Sequence, residues 1–155
     1  MKSVLTRAIL LVGGLIVLAG VTGSILAKER IKTHGERILL ELAPVDPRSM
    51  MQGDYMALQF KIAERIAKEA RESGAAPIVL DGRGVATLDI APREDGLRIR
   101  YRLQGRQVWL GTNAYFFEEG TASRYVNARY GEFRLDRDSG EAVLTGLRDE
   151  KLRPL

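Results

Sequence analysis

The sequence predicts a mainly β domain, a sandwich or small barrel, with one inserted surface α-helix and a single N-terminal transmembrane helix ahead of it. Three observations predict it. Residues 8–27, AILLVGGLIVLAGVTGSILA, hold twenty positions without a charge. A helix rising about 1.5 Å per residue crosses a hydrocarbon core of about 30 Å in about twenty residues. From Pro77 onward, short apolar runs are cut by Gly- and Asp-rich turns, as half-buried strands are. Only IAERIAKEARESG, 62–74, switches to helical spacing.

A chain of 155 residues suits one domain with a core of its own. Its parts are a short tail (1–7), the anchor (8–27), the charged connector KERIKTHGE (28–36) and the β domain (37–155). A cleaved signal peptide fits poorly. Its apolar region would run roughly 7–15 residues and end in an Ala-x-Ala-like site, whereas Ala27 is preceded two positions earlier by the bulky Ile25. Lys2 and Arg7 precede the span and Lys28, Arg30, Lys32 and Arg37 follow it. A literal charge count would keep the domain inside, but long domains translocate largely regardless of charge. The expectation is a single-pass protein of the cytoplasmic membrane, held in the bilayer through residues 8–27, with its domain on the extracytoplasmic side.

The 24 basic and 20 acidic residues give a net charge of +4. Without Lys2 and Arg7 the excess falls to two, too little and too dispersed for a nucleic-acid partner. The chain has no cysteine, which excludes disulfides and thiolate metal sites. His34, the single histidine, has no second histidine to join it as a ligand. Phosphate-binding Walker loops, Gly-x-Ser-x-Gly elbows and His-Glu-x-x-His pairs are missing from the sequence. No cofactor or metal is expected, and the reading leans away from an enzyme.

RILLELA, 37–43, reads as the first strand, halted by Pro44. PVDPRS comes next: Pro47 biases Asp46 away from helical backbone, and turn-forming aspartates accept bonds from amides ahead of them. Gly53 before Asp54 marks a second tight point. Beyond it Met56, Leu58, Phe60 and Ile62 share one strand face and Tyr55, Ala57, Gln59 and Lys61 the other. In 62–74, Ile62, Ile66 and Ala70 form a thin stripe, Glu64 and Lys68 an i,i+4 pair, and Gly74 a stop. PIVL and VATLDI are separated by the turn DGRG. GLRIRYRL alternates, with Leu97, Ile99, Tyr101 and Leu103 opposite Arg98, Arg100 and Arg102, and turns through QGR into QVWLG. Residues 119–131 suggest a short helical turn. EFRLD and EAVLTGL form a hairpin closed near Gly140. The total is six to eight short strands and one helix.

Three groups of residues could carry function. Asp46, Asp54, Glu118 and Glu119 would suit a hard cation if they converged, although Asp46 and Asp54 bracing a turn with Arg48 explains the first pair equally well. SMMQGDY faintly resembles the Ser-Met and Gly-Asp elements of bacterial signal peptidases, with Lys61 or Lys68 as the activating base for Ser49. The spacing is too short for that family. Arg98, Arg100 and Arg102 recur about 6.8 Å apart along one strand face. They suit either acids on neighbouring strands, such as Glu132 or Asp136, or an anionic surface near the membrane.

GDYMALQF resembles the signature of the bacterial family named for its GDYXXLXY motif: Gly53, Asp54, Tyr55 and Leu58 fit, and Phe60 replaces the final Tyr. The upstream PVDPRS is similar to that family's lead-in, and YFFEEG, 115–120, to a later aromatic run ending in Glu-Gly, with Glu118 where proline is expected. The resemblance implies a small membrane-anchored protein with no established activity, of a family in which some members are fused to or encoded near multi-span membrane proteins. An integral membrane protein is the expected partner. It singles out Asp46, Arg48, Gly53, Asp54, Tyr55, Leu58, Glu119 and Gly120. The loss of the Tyr hydroxyl at Phe60 removes any catalytic role there. Binding or assembly in the cell envelope is the expected function. The runner-up is an anchored hydrolase or cation-dependent enzyme using Asp46, Asp54 and Glu119.

Overall fold

The computed structural model describes residues 2–44, 51–52 and 55–155, with side chains for 10–44 and 55–155. The chain opens with α1 (Lys2–His34), a continuous helix of 33 residues. Over Leu10–His34 it is long and apolar enough to cross a membrane, and Leu11, Leu15, Ile16, Ile25 and Leu26 stand exposed along it. The expected connector is therefore the last turns of this helix, because Lys, Glu and Arg are good helix formers. The helix closes where the Gly35 amide donates to the Ile31 carbonyl at 2.7 Å. Ile31 itself is buried, so the end of α1 is docked on the domain.

The domain is mainly β, an open half-barrel with α2 (Lys61–Glu69) packed on it. Ten strands are formed among the described residues, β1 (Glu36–Glu41), β2 (Met51–Gln52), β3 (Tyr55–Ala57), β4 (Gly74–Leu80), β5 (Ala86–Leu88), β6 (Arg98–Gln104), β7 (Gln107–Trp109), β8 (Ala114–Phe116), β9 (Tyr130–Leu135) and β10 (Ala142–Arg148). The expected six to eight fell short because β2 and β8 have two and three residues, below the length at which alternation is readable. The strand expected through Ile62 ends at Ala57, and Ile62 belongs to α2. They form three antiparallel sheets of orders β1-β9-β10, β2-β3-β8 and β5-β4-β6-β7. Isolated bridges, Leu39 to Val85 and Leu42 to Phe60, tie the first sheet to the other two.

β1 is buried on both faces, which explains its unbroken apolar run. Ile38 and Leu40 face the main core with Phe60, Ile99, Leu110 and Phe133, while Leu39 meets Val85 and Tyr130 in a smaller cluster. α2 buries Ile62, Ala63 and Ile66, the stripe its spacing predicts, but ends five residues before the expected stop. Ala70 is already extended, at φ −65° and ψ 133°, and Gly74 opens β4 opposite Tyr101. Strand pairing claims Gly74 once the apolar stripe has run out. The turns read from the sequence at DGRG, QGR and RDSG are present. Asp81 Oδ1 accepts from the Arg83 and Val85 amides at 2.8 and 2.9 Å, and Gly84, Gly105 and Gly140 hold φ of 81°, 62° and 71°.

Candidate functional site

Two segments far apart in sequence meet in the small sheet. β3 pairs with β8, setting Tyr55 opposite Phe116, Met56 opposite Tyr115 and Ala57 opposite Ala114. Opposite residues share a face, and the Tyr55 and Phe116 rings lie 5.8 Å apart. The pairing continues where the Leu58 amide donates to the Asn113 carbonyl at 2.7 Å. Leu58 is buried, so its place in the motif is structural. Tyr125, in the 3-10 turn Ala122–Tyr125, packs edge-on against Tyr115 at 5.3 Å and stacks on Phe117 at 5.2 Å. Burial, with a hydrogen bond to Tyr125, pushes the Tyr115 hydroxyl above its ordinary pKa.

Alternation then divides the aromatic run. Tyr115 and Phe117 pack against the core, whereas Phe116 is 74% exposed. Beyond them the chain turns at Gly120, φ 79°, with the Thr121 hydroxyl donating to the Glu118 carbonyl at 2.6 Å. Glu118, Glu119 and Gly120 are all exposed on this turn. Asp46, Arg48, Gly53 and Asp54 lie outside the described residues, as does Ser49. Lys61 is exposed and paired with Glu41 at 2.5 Å, and Lys68 is exposed, a poor setting for a serine-activating base, which needs burial to shed its proton. No group of three potential metal ligands occurs among the described residues.

Phe60, the departure from the motif, is buried against Phe133 with ring centres 5.4 Å apart. It also borders a cavity of about 340 Å³ whose wall includes Asn113. The Asn113 side-chain oxygen is buried without a partner among the described residues.

The arginines of β6 are exposed, as their alternation predicts, but the acids expected beside them are elsewhere. Glu132, on β9, pairs with Arg148 and, at 3.4 Å, with Arg37. Asp136 accepts the Asp138 and Ser139 amides, each at 2.9 Å. The reason is topological: β6 lies between β4 and β7, in a different sheet from β9. Partial burial raises the Glu132 pKa, and the two guanidiniums overcome it and hold the carboxyl below its ordinary range. The charge therefore stabilises the fold above the ordinary carboxylate pKa, and that stability is lost as pH falls through it toward the folded value. Glu132→Gln is expected to cost about 1–3 kcal/mol near neutral pH. It should also flatten the fall of Tm as pH drops through the ordinary carboxylate range toward the lowered folded value, the window in which the wild type loses this stabilisation. Thermal melts across pH check this.

The fold and the Tyr55–Phe116 pairing define a β domain on an apolar helix whose most distinctive residues lie in its smallest sheet. The chain belongs to the GDYXXLXY protein family: the family profile described as GDYXXLXY protein matches residues 17–147. No curated protein and no solved structure matches the chain.

Proposed function

We propose that this is a single-pass envelope protein of the bacterial cytoplasmic membrane. Its domain, on the extracytoplasmic side, binds an integral membrane partner or helps assemble one through the edge where Tyr55 and Phe116 meet. The observation that carries this is the exposure of Phe116 on β8, the edge strand of its sheet among the described residues. A large exposed aromatic beside a strand edge is suited to contact with another chain. The exposed apolar length of α1 supports anchoring, since in water that surface would be costly. The enzymatic alternative has less support, because Glu119 stands on an exposed turn rather than in a cavity.

A photocrosslinking residue at position 116 of the anchored protein should capture a multi-span membrane protein, and Tyr55→Ala should weaken that capture. Ile90, 90% exposed, is the control position. Equal capture at 90 and 116, or none at 116, would overturn the proposal.

A further inference from the structure

We infer that the arginine face of β6 is the surface this domain lays against anionic lipid headgroups, an inference that rests on α1 being seated in a bilayer. Lys28 is the first charged residue after the uncharged run 8–27, so it marks the depth at which α1 leaves the hydrocarbon. Its ammonium pairs with the Glu141 carboxylate at the start of the β10 limb. The adjacent residue, Gly140, accepts the Arg100 amide at 2.7 Å. A Cβ added to Gly140 would lie 3.0 Å from the Arg98 carbonyl oxygen. One ion pair and one backbone hydrogen bond thus bring Arg98 and Arg100 to headgroup depth.

α1 is also a strut here rather than a loose tether. It is helical to His34 and buries Ile31 against the domain, while Arg134 Nη1 donates to the Gly35 carbonyl at 3.3 Å. The strand neighbours opposite the arginines are uncharged: Pro77 faces Arg98, Ala75 faces Arg100 and Trp109 faces Arg102. None of the three guanidiniums forms an ion pair among the described residues. A guanidinium fork matches phosphate oxygens bidentately, and an anionic leaflet attracts basic groups within a Debye length of its surface.

The chain has no cysteine, so Ala75→Cys places a single fluorescent label on the arginine face beside Arg100. The full-length protein is reconstituted in phosphatidylcholine vesicles, with or without about one third phosphatidylglycerol, doped with headgroup spin-labelled phosphatidylcholine. Quenching of the label should be about twofold stronger in the anionic vesicles. It should return to the neutral level in R98Q/R100Q/R102Q and in about 1 M salt, where the Debye length is about 3 Å. Flotation with both vesicle types but equal quenching would overturn the inference alone and favour an acidic protein partner for this face. Failure to float with neutral vesicles would overturn the anchoring and the inference together.

Discussion

Phe60→Ala should lower domain stability by about 3–5 kcal/mol, the range for removing a large aromatic from a close-packed core. The Phe60 side chain is 1% exposed. Its ring meets Phe133 edge-on at 5.4 Å, an arrangement worth something beyond area alone. Gly131 on β9 shows how little slack surrounds the pair: a Cβ there would come within 2.9 Å of the Phe60 ring and 3.0 Å of the Phe133 ring. Neighbours already this close cannot easily close a cavity, so the upper half of the range applies. A fall in Tm on the order of 10 °C or more checks it. Phe60→Tyr, which restores the family motif, should cost no more than about 1–3 kcal/mol, the range for a buried hydroxyl even when it finds no partner. The cavity beside Phe60 offers room, and Asn113 carries an acceptor unpartnered among the described residues on the same wall. A Tyr variant as unstable as the Ala variant would refute this account of the packing.

Gly111→Ala is expected to cost about 3 kcal/mol, combining left-handed backbone strain of about 1–2 kcal/mol with overpacking of about 1–3 kcal/mol. Gly111 holds φ at 71° in a three-residue turn closed by the Thr112 amide donating to the Leu110 carbonyl at 2.8 Å. Turns of that kind are rare and strained. A methyl group on Gly111 would sit inside contact distance of the Ala142 carbonyl oxygen, and backbone cannot rotate away as a side chain can. Gly105→Ala separates the two effects. Its φ of 62° is also positive, but nothing lies within 4 Å of the added carbon. It should cost about 1 kcal/mol. Equal losses in denaturant melts of the two variants would show that the contact with Ala142 is unimportant.

What could be read along the chain depended on the reach of the signal. The β6 face was legible because a strand repeats every two residues, so Ile99 inward and Arg100 outward follow from local order alone. Both hairpins were legible for a similar reason: Gly105 and Gly140 sit where tight turns need positive φ. Gly74 misled because glycine ends helices and begins strands alike, and only the pairing with Tyr101 chose between them. The inside–outside division of Tyr115, Phe116 and Phe117 was also within reach, since alternation through that run isolates Phe116 as the outward ring. Among the motif residues, Leu58 is buried, Glu119 and Gly120 lie on an exposed turn, and Asp46, Arg48, Gly53 and Asp54 lie outside the described residues.

By itself the sequence determined the apolar N-terminal helix, the mainly β character of the domain attached to it, the inserted helix and the faces of the longer strands. These are consequences of chain length, charge-free runs and short-period repetition, which each segment carries alone. Tertiary structure alone decided that β3 seeks β8, that Glu132 joins Arg37 and Arg148 instead of the β6 arginines, and that α1 runs unbroken into a docked end at Ile31. Such partnerships are chosen by which apolar faces can close around one core, and loop closure imposes only a weak preference on how far apart in sequence the partners stand.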